Sequence, residues 1–247
     1  MRNAHKEVKP KGTFFGIGIG PGDPKLLTLK AIEILKKVDI IFAPKSRIKT
    51  DSLAAEIIKP YIPKNSIIRE VIFPMSRDKK RLANFWEKAA LKIYREISLG
   101  KDVAFITMGD PFVYSTYIYL SREIRRLNKN LKIVTVPGIS SINAASSLLE
   151  IPLACSDEKF AVIPMPGNLK ELKGIFSLFD TVVLLKIGNA LSKLVKFLKK
   201  EGLEKQAFFV SRAGLSKQLV GGDISSLNKK TSGYLSIVIV KLRKRGG

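Results

Sequence analysis

A chain of 247 residues with 45% hydrophobic content can bury a substantial core, as one large domain or two small ones, which excludes a disordered reading. One cysteine, Cys155, and one histidine, His5, exclude an internal disulfide, a thiolate metal cluster, Cys-x-x-Cys redox chemistry, a Ser-His-Asp triad and a histidine base. The formal net charge of +23 favours an anionic partner, whether nucleic acid, membrane or polycarboxylate, without choosing among them.

Residues 13–19, apolar or Gly after Thr13, predict a buried first strand, which Gly20-Pro21-Gly22 breaks. Asp23 suits an N-cap and Pro24 a first helical position; Leu27, Ala31, Ile34, Leu35 and Val38 then recur at helical spacing. Residues 39–43 predict a second strand ended by Pro44, and strand, helix, strand in this order implies a right-handed parallel unit. A short helix over 50–59 and a strand over 67–73 follow. Residues 78–99 predict a long amphipathic helix with Leu82, Phe85, Trp86, Ala89, Ala90, Ile93 and Ile97 on one face, Trp86 being a core anchor. Gly100 stops it, and a strand over 103–107 leads into Gly109-Asp110-Pro111. A helix over 113–127, a strand over 133–136 and a helix capped by Ser140 or Ser141 come next, the last carrying Ile142, Ala145, Leu148 and Leu149.

Past Pro152 the pattern changes to strand-like runs at 161–163, 181–186, 207–210 and 235–242, with a helix around 191–200 and Gly turns such as Gly221-Gly222. The expected fold class is α/β in two lobes, the first sheet mostly parallel and the second mixed. The expected boundaries are a basic tail over 1–11, an N-terminal domain over 12–130 and a C-terminal domain over 131–247 that ends in a second basic tail. Lys193, Lys196, Lys199 and Lys200 read as solvated helix surface, and Cys155 as a small half-buried filler. No apolar run reaches the roughly 18 residues of a membrane span. The polar start does not resemble a signal peptide, so a cytoplasmic chain with no membrane partner is expected.

Three glycine-containing stretches follow apolar, β-branched runs and precede helical patterns: Gly16 to Pro24, Met108 to Pro111, and Val136 to Ser141. Each is expected at the carboxyl end of a strand, where open α/β sheets place their ligand crevice. The dinucleotide pattern Gly-x-Gly-x-x-Gly fails, because Pro21 and Asp23 occupy the positions of its last glycine, and no phosphate-binding Gly-Lys-Ser/Thr turn exists. Asp23 also places negative charge where a helix N-terminus would attract phosphate, so an uncharged or cationic ligand portion fits better. The acceptor-only carboxylate of Asp110, beside a glycine, can hold hydroxyls, an amine or a sulfonium-bearing cofactor.

On these motifs the sequence resembles the tetrapyrrole methylase family of S-adenosylmethionine-dependent enzymes. The resemblance runs from Gly18-Ile19-Gly20-Pro21-Gly22-Asp23-Pro24 with Leu27-Thr28, through Gly109-Asp110-Pro111 with Tyr114, to Val136-Pro137-Gly138-Ile139-Ser140-Ser141. Phe73-Pro74-Met75-Ser76, Asp110 to Thr116, and Ile151-Pro152-Leu153-Ala154 are similar to the subgroup that methylates C20 of precorrin-2 or cobalt-factor II in cobalamin biosynthesis. The resemblance implies a two-lobed homodimer holding S-adenosylmethionine in a cleft between the lobes, with a tetrapyrrole polycarboxylate as substrate. It implies cofactor contacts from Pro21, Met108, Gly109, Asp110, Val113, Tyr114, Ser140 and Ser141, and from Lys186, Ile187, Ala213, Tyr234, Leu235 and Ser236 in the second lobe. Lys186 departs from expectation, since a cation beside a cationic cofactor is unfavourable unless its ammonium points to solvent or to substrate carboxylates.

The donor and the substrate would both be activated, so the protein chiefly aligns them and needs no metal. Asp110 and Tyr114 are the catalytic candidates for taking the C20 proton. Lys45, Arg47, Arg77 and Lys79 follow predicted strand ends and are the candidates for binding substrate carboxylates. Two other readings stand beside this one: a methyltransferase of the same fold acting on ribosomal RNA, a protein side chain or another ring carbon, and a noncatalytic basic binding module. The C20-like segments oppose RNA, and a binding module leaves the three loops unexplained.

Overall fold

The fold comes from a computed structural model that describes residues 12–46, 51–74, 78–227 and 231–242. The chain divides into two compact units, Met1–Ser140 and Ser141–Gly247.

In the first unit, β1 (Phe14–Gly18), β2 (Ile40–Lys45), β3 (Ile67–Ile72), β4 (Val103–Thr107) and β5 (Ile133–Val136) form one sheet in the order β3-β2-β4-β1-β5, every pair parallel. The helices α1 (Leu29–Leu35), α2 (Leu53–Ile58), α3 (Lys79–Ser98) and α4 (Tyr117–Leu127) lie along its connections. Central β4 is buried at every residue, as its unbroken apolar run implies. One core joins Phe14, Phe42 and Phe105 of the sheet to Ile93 and Ile97 of α3 and to Tyr117, Leu120 and Ile124 of α4. Trp86 packs against this core and stacks on Tyr119, ring centroids 4.1 Å apart, which ties α3 to α4. Asp78 caps α3 by accepting a hydrogen bond from the Arg81 amide at 3.1 Å.

Four sequence expectations change here. The expected junction at residue 131 moves to the end of residue 140, because β5 pairs with β1 and so belongs to the first sheet. The helix after Pro24 divides: Asp23 caps a 3₁₀ turn, Pro24–Leu26, and Thr28 recaps the chain for α1 through the Ala31 amide at 3.2 Å. Pro44 does not end β2 but lies within it, beyond Phe42, the last residue paired with β4, where a missing N–H is tolerated. Finally, α4 starts at Tyr117 rather than Val113, because Tyr114 sits at φ 53° and cannot continue a right-handed helix.

The second unit is a mixed sheet in the order β6-β7-β10-β8-β9, built from β6 (Phe160–Pro164), β7 (Thr181–Leu185), β8 (Ala207–Ser211), β9 (Leu219–Gly221) and β10 (Ser236–Lys241). Only β6 and β7 run parallel. Alternation sends Val182, Leu184, Phe209, Val238 and Val240 to one face, where α6 (Glu171–Phe176) and α7 (Leu191–Lys200) cover them. Val183, Leu185, Val210, Ile237 and Ile239 go to the other, beneath α5 (Ser141–Leu149). Neither α6 nor β9 was expected, each being too short to show a period. The four lysines of α7 are exposed, as expected, whereas Cys155 is exposed and not half-buried, because it sits on a turn whose amide bonds to Glu158. Among the described residues, no helix is long and apolar enough to cross a membrane.

One ion-pair group gives a pH-dependent expectation. Glu96, at the end of α3, accepts from Lys101 Nζ at 2.7 Å and pairs with Arg69, and these two cations hold its carboxyl below the usual range. A lowered folded-state value gives stability that is present above the ordinary carboxylate range and lost as pH falls through the folded value. Urea denaturation should therefore show wild type more stable than Glu96→Gln at neutral pH, with the difference shrinking on acidification. A difference that grows toward acid pH would contradict the assignment.

Candidate active site

Strands β4, β1 and β5 are neighbours in the sheet, so their carboxyl ends release the three glycine-containing loops side by side. The loops then pack backbone against backbone. Gly109 N donates to Gly20 O at 2.7 Å, and Ile19 N to Thr107 O at 3.0 Å. A Cβ on Gly18 would lie 2.5 Å from Gly138 N and 2.7 Å from Gly109 O, and one on Gly138 would lie 2.3 Å from Gly109 O. Those distances lie below van der Waals contact, so glycine is required at both positions by close approach.

Asp110 fastens this junction. Its Oδ1 accepts from Phe112 N at 2.8 Å and its Oδ2 from Gly138 N at 3.1 Å, so a single half-buried carboxylate joins the second loop to the third. Beneath the loops, Thr107 and Ser115 share a buried hydroxyl bond of 2.8 Å, and Ser115 Oγ also accepts from Tyr117 N. The Tyr117 hydroxyl meets Thr135 Oγ1 at 2.6 Å, and burial pushes its ionisation up, so it is a support and not a base. Above this floor Phe112, Val113 and Tyr114 are exposed, Phe112 at 63%. Pro21 is buried, Met108 and Ser140 are half-buried, and Ser141 opens α5. The third loop is thus also the segment by which the chain passes into the second unit.

In the second unit, Lys186 follows β7, Arg212 follows β8 and Leu235 precedes β10, so the three lie at the same end of three adjacent strands. All three have left-handed backbones, with φ of 55°, 55° and 51°. Such conformations cost roughly 1–3 kcal/mol each and cluster at ligand sites. Arg212 N donates to Leu235 O at 2.8 Å and Ser211 Oγ to Tyr234 O at 3.3 Å, which locks β8 to the turn before β10. Of the residues expected here, Lys186, Tyr234 and Leu235 are exposed. Three side chains point elsewhere. Ile187 is in the core beneath α7, Ala213 in the core beneath α5, and the buried Ser236 hydroxyl donates to Gly233 O at 2.5 Å, so these offer a ligand only their backbones.

The substrate candidates fare differently. Lys45, at the carboxyl end of β2, gives its ammonium to Glu70 Oε2 at 2.6 Å and holds that carboxyl below the usual range, so its charge is already neutralised. Glu70 was invisible as its partner because the pairing crosses from β2 to β3. Arg47 and Arg77, with Met75 and Ser76, lie outside the described residues, as do the basic tail over 1–11 and the Lys79 side chain; Lys79 is the first residue of α3.

Residues 13–228 match the family model of the Tetrapyrrole (Corrin/Porphyrin) Methylases. The chain belongs to this family. It is 40% identical over 236 residues to a Methanocaldococcus jannaschii protein named probable cobalt-precorrin-2 C(20)-methyltransferase, the match spanning 94% of this chain and 96% of that one. It is 30% identical over 230 residues to the cobalt-precorrin-2 C(20)-methyltransferase of Salmonella typhimurium, across 93% of this chain and 96% of the relative. Among solved structures, a cobalt precorrin-4 methyltransferase shares the fold with a TM-score of 0.71 at 19% identity, covering 93% of this chain and 94% of that chain. A uroporphyrin-III C-methyltransferase from Thermus thermophilus, solved with S-adenosyl homocysteine, gives 0.63 at 20% identity, covering 93% and 97%.

The family resemblance read from the three loops is therefore correct, as is the α/β class with a parallel and a mixed sheet. Sequence reasoning missed the supports of this tetrapyrrole methylase's loops, namely the Tyr117–Thr135 and Thr107–Ser115 pairs. It also missed a hollow of about 360 Å³ beside Arg212, Lys217 and Tyr234 in the second unit. The available signal for the hollow was two cations in one turn between predicted strands.

Proposed function

We propose that this tetrapyrrole methylase transfers a methyl group from S-adenosylmethionine to C20 of a precorrin-2-type tetrapyrrole, metal-free or cobalt-bearing, in cobalamin biosynthesis. The observation that carries the choice of substrate is the 40% identity, over 94% of this chain, to a relative named for that reaction. We propose further that it works as a cytoplasmic homodimer, on the family resemblance.

The chemistry of the loops suits the cofactor. Residues 19–24, 108–114 and 137–140 contain no Lys or Arg and two carboxylates, Asp23 and Asp110, so the surroundings favour a cation and oppose a pyrophosphate. When bound, S-adenosylmethionine supplies a methyl group already activated by its sulfonium. In this reading Pro21, Met108, Gly109, Asp110, Val113, Tyr114, Ser140 and Ser141 hold it in the first unit. The residues assigned in the second are Lys186, Tyr234 and Leu235, with the backbones of Ile187, Ala213 and Ser236.

Alignment by rigid backbone is the chain's main contribution, and such positioning can supply up to about 7–11 kcal/mol of a barrier. The hydrogen-bonded glycine junction is suited to this because it has no side chains to reorganise. We assign the proton released from C20 to Asp110 or Tyr114, the titratable groups of the second loop. Asp110 would accept it with the lone pairs not used by Phe112 and Gly138.

Incubation with isotopically labelled S-adenosylmethionine and each of precorrin-2 and cobalt-factor II tests the proposal. Label at C20 of either product is expected. Label at a different ring carbon, or no transfer to either, would overturn it.

A further inference from the structure

We propose that the hollow at the end of β8 is a carboxylate subsite, in which Arg212 and Lys217 hold a pendant acidic arm of the tetrapyrrole. The identity of the molecule bearing the arm rests on the proposed function; the carboxylate chemistry rests on the hollow itself. At about 360 Å³, the space admits an acidic arm and a ring edge, and is at the small end of ligand pockets. It is lined by Arg212, Lys217, Ser211, Thr231, Ser232, Tyr234 and Leu219, so two cations and four hydroxyls share it with apolar surface.

Arg212 is preset for this task. Its amide is tied to Leu235 O, and its Nε donates to Ser216 O at 2.8 Å, which aims the guanidinium and leaves its two terminal nitrogens as a planar fork. Such a fork matches the two oxygens of a carboxylate. The turn that carries both cations is cross-linked from within: Leu215 N donates to Arg212 O at 2.9 Å, Gln218 N to Leu215 O at 3.1 Å, and Gly214 N to Gln218 Oε1 at 2.7 Å. Among the described residues neither Arg212 nor Lys217 forms a salt bridge, in contrast to Lys45 with Glu70. Half-buried Arg212 and exposed Lys217, neither ion-paired among the described residues, together attract an anion, and the exposed faces of Tyr234 and Leu219 at the rim suit an apolar ring edge.

A fluorescent porphyrin carrying carboxylate arms, and its methyl ester, provide the probes. Each is titrated against the full wild-type chain, Arg212→Gln, Lys217→Gln, the double variant and Arg212→Lys. Loss of both charges should raise the Kd for the acid at least about tenfold, with Lys217→Gln alone, at an exposed position, giving part of the loss and Arg212→Lys recovering part of it. The ester should bind the wild type weakly and show no further loss in the double variant, a result that mere misfolding would not give. S-Adenosylmethionine affinity, measured by calorimetry, should stay within about twofold, which separates substrate arms from the cofactor's own carboxylate. The proposal is overturned if acid binding stays within about twofold, if the ester loses affinity equally, or if the cofactor's Kd is the one that rises. Because the titration needs no turnover, a chain that binds the acid through Arg212 yet leaves C20 unlabelled would sink the proposed function and support the subsite.

Discussion

Gly138→Ala is expected to weaken S-adenosylmethionine binding by about 10- to 100-fold. The added Cβ would stand 2.3 Å from Gly109 O and 2.7 Å from Gly18 C. All of these are backbone atoms, so no side chain can swing aside and the loops themselves must separate. Separation would also stretch the Gly138 N to Asp110 bond of 3.1 Å that holds the second loop to the third. Gly167→Ala is the matched control, since its Cβ would meet nothing within 4 Å, and it should bind like wild type. Calorimetry on both variants, with thermal scans to establish folding, checks this. A folded Gly138→Ala chain that binds within about twofold of wild type would show that the junction does not hold the cofactor.

Asp110→Ala should lower turnover or cofactor affinity at least about tenfold, because two amides lose their acceptor at once. An unpaired buried donor costs roughly 1–3 kcal/mol. The half-buried Gly138 amide should carry most of that, because water can reach Phe112. Asp110→Asn separates bracing from proton transfer. It keeps one acceptor oxygen but turns an NH2 toward the other amide, so a brace predicts weakened cofactor binding and slower turnover together. A pure base predicts slow turnover with normal cofactor affinity. Wild-type kinetics in Asp110→Ala would remove Asp110 from its assigned place.

What the sequence revealed and what it hid divide along range of interaction. Buried strands such as β4 were legible because an unbroken apolar run has few other uses, and α3 was legible from its apolar stripe ending at Ile97. The three loops were legible because glycine and proline constrain the backbone locally. The attachment of β5 to β1 was not, since the partners are more than a hundred residues apart and nothing local encodes the pairing. At separations of 28 and 25 residues, the Asp110 bond to Gly138 and the capture of Lys45 by Glu70 were likewise encoded by nothing local. In the second unit, register alone could not distinguish Ile187, which packs into a core, from Lys186, which is exposed one residue earlier. Left-handed backbones at Lys186, Arg212 and Leu235 were equally hidden, because these residue types do not advertise positive φ as glycine does.

A crystal structure of the full chain with S-adenosylhomocysteine tests the central claim most directly. Density for the ligand is expected against the backbone of Gly18 to Pro21, the stretch from Met108 to Asp110, and the segment from Pro137 to Ser141. Ligand bound away from all three loops would contradict it.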